Sequence, residues 1–286
     1  MLNLPKSDNI KALALDLDGT VLAPGAVLSE RTIAAVNKCV QRGLKIIIST
    51  GRAIEAAERF RTSLGAEGPM IYYNGAVVAE MPAEFPQGRF LQATLLDTKK
   101  AELCVDLSRE TGIYCQVYLF IENRIPLLAE RDGPEREMYH KHTGILAELV
   151  DLKEALGRSG LSGCVKAMFL AEPELLAELR QPLENRLGKS VYIAQTLRTF
   201  LEVMDAKVSK GQGLSFAMER LSLKREEIIA FGDEENDVPM FAEAGFSVAP
   251  SNAKDTVKAK ADLVVGSNAE DGVAAFLEEF FKLRNN

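Results

Sequence analysis

The chain has 286 residues, 47% hydrophobic and 26% charged, the composition of an ordinary globular protein with length for about two domains. A net charge of −7 argues against a nucleic-acid backbone as the main partner, and the longest apolar runs are strand-sized, far short of a membrane span. The first residues, MLNLPKSDN, carry no apolar signal region, and Cys39, Cys104, Cys115 and Cys164 form no CxxC pair. A reduced, cytoplasmic protein is expected, without a zinc site or a disulfide framework.

Residues 10–20, IKALALDLDGT, open the fold. Ile10, Leu13, Leu15 and Leu17 with two alanines form an apolar run without alternation, which predicts a strand buried on both faces of a parallel sheet. It ends in Asp16 and Asp18, then Gly19 and Thr20. Ser29 suits the N-cap of a helix over about residues 30–42, closed by Gly43. A second strand (44–48) runs into Ser49-Thr50-Gly51-Arg52, a helix covers 53–64, and a third strand (69–73) ends in an Asn74-Gly75 turn. The β-α-β-α-β order predicts an α/β fold: a doubly wound, Rossmann-like parallel sheet whose ligand crevice lies outside the carboxyl ends of its strands.

The rhythm changes near Met81-Pro82. Residues 82–92 read as a Pro/Gly-containing link. A helix (97–111), strands at 114–121 and 124–129 around a Glu122-Asn123 turn, a charged helix (134–142), a strand (166–171), a helix from Pro173 to about 187, and strands at 191–195 and 199–204 predict an inserted α+β domain. The expected division is core 1–82, insertion 83–204, core 205–286. In the last part Ser209 suits the N-cap of a helix to about 220, and a strand at 228–231 ends in Gly232-Asp233-Glu234-Glu235-Asn236-Asp237. A short helix (237–243), a strand (246–249), a helix (253–259), a strand (263–265) and a helix from 271 follow.

Four clusters thus fall at, or just after, carboxyl ends of core strands. Two carboxylates at the end of a buried strand are costly unless a cation lies between them, and Mg²⁺ with a phosphate satisfies both. For both to reach one site the chain must bend near Gly19. A strand cap with a D-G turn is the plainer reading of the same residues. Asp233 and Asp237, four apart at a helix start, can share one face and add oxygen ligands or supporting acceptors. Thr50 offers a hydroxyl beside the free N–H groups of a helix N-terminus. Lys210 offers a cation for a phosphate and a carboxylate together.

The set and order DxDGT…STGR…K…GDxxND resembles the haloacid dehalogenase-like (HAD) superfamily of phosphohydrolases, and the insertion is similar to the cap domain of its Cof-type subfamily IIB. The resemblance implies a Mg²⁺-dependent phosphomonoesterase that hydrolyses a small phosphorylated metabolite, a sugar phosphate or a phosphorylated cofactor, through an aspartyl-phosphate. On the matched positions it implies that Asp16 is the nucleophile and Asp18 the general acid/base. Thr50, Gly51 and Lys210 would bind the phosphoryl group. Asp16, the main-chain carbonyl of Asp18, and Asp233 would hold the metal, with Asn236 and Asp237 in support. Related ion-pumping ATPases carry Thr at the position of Asp18, so the acid here implies rapid turnover. One departure stands out: relatives often have Gly-Asn after the strand at 246–249, where this chain has Ala249-Pro250-Ser251-Asn252. That loop is expected to reshape the pocket without touching the matched catalytic positions.

Arg52 is expected either to contact substrate or to pair with a neighbouring acid. Asn74 is a weaker substrate candidate beside Tyr72 and Tyr73, which are expected to pack at the strand end. Arg124, on a hairpin of the insertion, is another. His140 and His142 diverge on a helix and read as a solvated face, and Glu234 and Glu235 as helix-N-terminal acids. The core clusters touch only phosphate and metal, so choice of substrate falls to the insertion, whose charges, Arg124 and Arg136 among them, suit a polar molecule and not a lipid. Rival readings are a sugar phosphomutase, a receiver-like phosphoacceptor, and a non-catalytic metabolite-binding protein. Receiver domains are far shorter and lack the acid two residues after the nucleophile, and a binding protein has little use for Asp16, Asp18, Lys210 and Asp233 together.

Overall fold

A computed structural model of the chain describes residues 4–81 and 88–283. The described chain falls into two compact units: residues up to Gln92 together with those from Ser209 onward, and Ala93–Val208 between them.

The first unit is built outward from β1 (Ala12–Leu15), all four residues of which are buried. The helix α1 (Glu30–Gln41) begins where Ser29 Oγ accepts the Thr32 N–H at 3.0 Å and ends before Gly43, at φ +88°. β2 (Lys45–Ile48) then pairs with β1 in parallel, Leu15 opposite Ile48. After α2 (Ile54–Ser63), β3 (Gly68–Tyr72) departs from the expected parallel sheet, touching the end of β2 through a single parallel bridge, Ser49 to Ile71. The chain then takes left-handed φ values at Tyr73, Asn74 and Gly75 and folds back as β4 (Val77–Met81), antiparallel to β3. A third strand, β5 (Arg89–Ala93), completes this small sheet in the order β3-β4-β5. The later part of the expected link at 82–92 is therefore strand, with Leu91 packed on the unit's core; residues 82–87 lie outside the described residues.

The second unit begins with α3 (Thr98–Thr111), followed by β6 (Tyr114–Ile121) and β7 (Leu127–Ala129). β7 is shorter than the expected 124–129 because Pro126 has no N–H to give the ladder and only accepts, from Leu119. Then come α4 (Pro134–Thr143), β8 (Glu148–Leu149), α5 (Leu152–Leu156), β9 (Leu161–Leu170), α6 (Pro173–Leu187), β10 (Val191–Leu197) and β11 (Phe200–Asp205). The six strands lie in the order β10-β11-β9-β6-β7-β8. One face carries Cys115, Val117, Leu119, Cys164, Ala167 and Phe169 into an apolar cluster under α3, α5 and α6. Side chains that alternate with these put Gln116, Tyr118, Lys166 and Glu202 on the opposite face, and all four are buried. There Lys166 Nζ donates to Glu202 Oε1 at 2.6 Å, and Tyr118 Oη shares a 2.7 Å hydrogen bond with Tyr139 Oη of α4.

The chain returns to the first unit as α7 (Lys210–Leu221), β12 (Ile228–Phe231), α8 (Val238–Glu243), β13 (Phe246–Pro250), α9 (Asp255–Lys258), β14 (Leu263–Val265) and α10 (Gly272–Phe280). The parallel sheet has the order β14-β13-β12-β1-β2, with β1 between β2 and β12. Ala12 and Ala14 face the cluster that holds Leu214 and Ala217 of α7 and Met240 and Phe241 of α8. The opposite face meets α1 and α10, where Phe276 packs edge-on against Phe231 with ring centres 5.8 Å apart. Strand order reverses between β1 and β12, and such a switch point is where an open α/β sheet leaves a crevice. Among the described residues no helix is long and apolar enough to cross a membrane.

Candidate active site

β1 and β12 lie side by side and both run directly into acids. Asp16 follows Leu15, and its N–H continues the ladder by donating to the Phe231 carbonyl at 3.0 Å. Asp233 stands two residues past Phe231. The intervening Gly232 has no room for a side chain, because a Cβ there would lie 2.4 Å from that of Asp237. This close approach lets Asp237 Oδ2 accept the N–H groups of Asp233 and Glu234, at 2.9 and 3.0 Å. Its Oδ1 accepts from Lys210 Nζ at 2.6 Å. Lys210 is the first residue of α7, placed by the Ser209 N-cap, and its ammonium also donates to Asp16 Oδ1 at 2.7 Å. Among the described residues Asp16 Oδ2 takes no hydrogen bond. Asp233 Oδ1 accepts from Thr20 Oγ1 at 2.7 Å, and its Oδ2 lies over Gly19, where a Cβ would fall 2.1 Å away. Gly19 is at φ +77°, so both its backbone angle and its neighbour require glycine.

The electrostatics follow from burial. Asp16, Asp233 and Asp237 are all buried, each offering a carboxylate oxygen, and these oxygens lie within 4.8 Å of one another. Burial pushes Asp16 well above the usual carboxylate range; Lys210 opposes this, and Asp237 and Asp233 add to it. Burial likewise pushes Asp233 up to about 7, against the Thr20 hydrogen bond and with help from the Asp237 charge. Burial also works against the Lys210 ammonium, but Asp16 and Asp237 together outweigh it and hold its pKa above the ordinary lysine value. Lys210 is the one cation bonded to this trio among the described residues, so three acids meet a single base, an excess of carboxyl groups over counter-charge. An all-oxygen donor set with that excess fits Mg²⁺.

The second motif sits beside it. Thr50 is fully buried; its N–H donates to the Ile71 carbonyl at 2.9 Å, and its Oγ1 accepts the Arg52 N–H at 3.1 Å. Arg52 pairs with an acid: Nε and Nη2 donate to the two oxygens of Asp18 at 2.7 and 2.6 Å. The guanidinium also lies 5.0 Å from the centre of the Phe60 ring. Asp18 itself is half-exposed, unlike Asp16. Gly51 lies under Asn74, where a Cβ would meet Asn74 Oδ1 at 2.8 Å. Asn74 is buried, and its Oδ1 accepts from Asn236 Nδ2 at 2.9 Å. Arg124 belongs to the second unit, in the β6–β7 turn, where it is largely exposed and 3.5 Å from Glu122. Arg136 of α4 donates to the Ala147 carbonyl and to Asp132.

Two contributors were not singled out from the sequence. Thr20 holds Asp233, and its place in DxDGT was the available signal. Asn252 belongs to the departing loop after β13, expected to stay clear of the catalytic motifs. Its Nδ2 donates to the Gly19 carbonyl at 2.8 Å, and the next residue but one, Lys254, donates its N–H to the Asp233 carbonyl at 3.3 Å. The loop therefore braces two motifs from behind. No local pattern announces such a contact across more than 200 residues.

The sequence pattern of the haloacid dehalogenase-like hydrolases matches residues 13–277. The chain belongs to the haloacid dehalogenase-like hydrolases. Among its relatives in this HAD family is the 5-amino-6-(5-phospho-D-ribitylamino)uracil phosphatase YitU of Bacillus subtilis, 30% identical over 95% of this chain and 97% of that one. Another is the pyridoxal phosphate phosphatase YbhA of Escherichia coli, 28% identical over 93% and 97%. The HAD subclass IIB sugar phosphatase BT4131 has the same fold, with a TM-score of 0.78 and 22% identity over 95% of this chain and 99% of that one. The protein is thus a HAD phosphatase, with the fold of the IIB branch that the motifs resemble.

Proposed function

We propose that the protein is a Mg²⁺-dependent phosphomonoesterase of a small phosphorylated metabolite in the cytoplasm, working through a phosphorylated Asp16. The observation that carries this reading is the state of Asp16: one carboxylate oxygen tied to Lys210, the other without a partner among the described residues, at the carboxyl edge of the sheet. An oriented carboxylate with one open oxygen is what in-line attack on phosphorus requires. Asp16 Oδ2 forms a bond to phosphorus as the ester P–O bond breaks, and Asp18 gives its proton to the departing alkoxide. Asp18 then takes a proton from water, the oxygen of that water bonds to phosphorus, and the bond to Asp16 breaks to release phosphate. Arg52, which grips Asp18, is the group an arriving phosphoryl dianion competes for, and loss of that grip frees the Asp18 side chain to turn toward the leaving group. Thr50, Gly51 and Lys210 receive the phosphoryl oxygens. Asp16, the Asp18 carbonyl and Asp233 would hold Mg²⁺, with Asp237 keeping Asp233 in place and Asn236 in support. Bound there, the metal supplies charge neutralisation at the phosphoryl oxygens.

YitU and YbhA act on a phosphorylated ribitylamino-pyrimidine and on pyridoxal phosphate, and their similarity supports a phosphorylated heterocycle or sugar as the substrate class. The test is a panel of about a hundred phosphorylated metabolites ranked by kcat/KM with Mg²⁺, with phosphate release measured. Asp16→Asn keeps the shape and removes the nucleophile, so phosphate release should fall to background. Full activity in that variant, or isomerisation of a sugar phosphate without net phosphate release, would refute the reading.

A further inference from the structure

Tyr73, Asn74 and Gly75 have φ values of +52°, +59° and +99°, three left-handed residues in a row of which two are not glycine. For an L-residue that conformation is strained, least for asparagine, while glycine adopts it freely. All three are buried, so exposure at a loop tip does not account for them. What the turn gains is contact with three motifs at once. Tyr73 donates its N–H to the Arg52 carbonyl at 3.1 Å, and Asn74 donates its own to the Thr50 carbonyl at 3.0 Å. Gly75 lies so close to the start of α7 that a Cβ would stand 2.1 Å from the Ser209 carbonyl oxygen. The Asn74 amide rests on Gly51 and accepts from Asn236 Nδ2 at 2.9 Å.

That last bond has a chemical consequence. With one Asn236 N–H fixed on Asn74, the amide cannot turn, and its Oδ1 is buried with no hydrogen-bond partner among the described residues. A buried acceptor left open in this way is destabilising unless something outside the protein donates to it. Asn236 lies next to Asp237 and three residues after Asp233, so the donor its place suits is a water molecule of the metal or of the substrate phosphate. We infer that Asn74 is a positioning residue for the reaction: the strained turn exists to lock the Asn236 amide in the orientation that presents Oδ1 to this water. The inference rests on the phosphatase reading of the site, and it assigns to Asn74 no contact with substrate.

A double-mutant cycle tests it, using Asn74→Gly, Asn236→Ala and both together in the full chain, with p-nitrophenyl phosphate as substrate. Glycine keeps the left-handed angle without strain and removes only the side chain. Asn74→Gly should lower kcat by about 10- to 100-fold, the range for residues that orient metal ligands, with KM changed less than about threefold. In the Asn236→Ala background the same change should alter kcat by less than about twofold, because the residue it acts through is gone. Asn74→Asp keeps both the acceptor and the left-handed tolerance, and should restore kcat to within a few-fold. In the metal-free protein the two Asn236 side-chain amide protons should give well-separated NMR signals that merge toward free-amide positions in Asn74→Gly. Equal losses from Asn74→Gly in both backgrounds, or an unmoved Asn236 amide signal, would overturn the inference. A wild-type chain that releases no phosphate would defeat the phosphatase reading instead, and the metal-free NMR comparison still decides the role of Asn74.

Discussion

Asp233 and Gly19 show how tightly individual residues are constrained here. With its pKa pushed up to about 7 from an ordinary 3.8, Asp233 binds more protons in the folded than in the unfolded chain between those two values. Its contribution to stability therefore falls as pH rises through that window, and the full cost is present above 7. On the proposed reading, a metal held by Asp233 displaces that proton. Mg²⁺ affinity measured by calorimetry on the metal-free protein should thus climb as pH rises toward 7. An affinity flat between pH 5.5 and 7.5 would show that Asp233 is not a ligand. At Gly19, an alanine Cβ would collide with the Asp233 carboxylate in a left-handed backbone that itself costs about 1–2 kcal/mol for any L-residue but glycine. Gly19→Ala should lower both the unfolding free energy and Mg²⁺ affinity, whereas a variant with wild-type metal affinity would mean that the contact relaxes without displacing Asp233. Asp16, Asp18, Thr50 and Lys210 were visible as candidates from residue type and motif order alone. The bracing by Asn252 and the orientation of the Asn236 amide were not, since both depend on loops that meet only after folding.

At the level of elements, hydrophobic pattern located most helices and strands, and the exceptions have identifiable causes. β4 and β5 were overlooked because the Pro/Gly segment between them looks like the end of a domain. β9 begins five residues before its expected start because Ser162 and Gly163 look like turn residues, and the register shifts opposite Leu119. The most unusual element is the second face of the six-stranded sheet, where Lys166 and Glu202 form an ion pair almost out of reach of solvent. The two side chains come from β9 and β11, neighbours in the ladder, so the bond also helps fix their register. Removing one partner of such a pair leaves a buried charge and typically costs about 3–5 kcal/mol, whereas replacing both with apolar residues costs far less. Lys166→Met should therefore lower the urea midpoint strongly, and adding Glu202→Leu should recover most of the loss. A single variant as stable as the wild type would mean that the ion pair adds little to the stability of the sheet.

For the molecule as a whole, the division of the chain matters as much as any contact. Alternating βα order over residues 10–73 predicted the parallel sheet, although β3 stands outside it, and its resumption after residue 208 predicted the remainder of the same sheet. The boundary at the first crossing was less legible, because β5 joins the core's small sheet and carries the first unit on to Gln92. A chain ended after Val208 would keep β2 beside β1 but lose β12, Lys210 and Asp233. It should be insoluble, or soluble only with the 93–208 unit folded, as limited proteolysis would report; a protease-resistant 1–92 segment would contradict this. The same topology bears on how the protein is made. Thr20 and Asp233 lie 213 residues apart, and Asp16 and Lys210 lie 194 apart. At synthesis rates of about 5–20 residues per second, β1 leaves the ribosome roughly 10 to 40 s before β12 can pair with it. For that interval the nascent chain carries an open, wholly apolar strand edge, the kind that invites association with other chains and the attention of chaperones. The inserted unit is complete before that edge closes, so Asp16, among the first residues synthesised, is among the last to find its partner, Lys210.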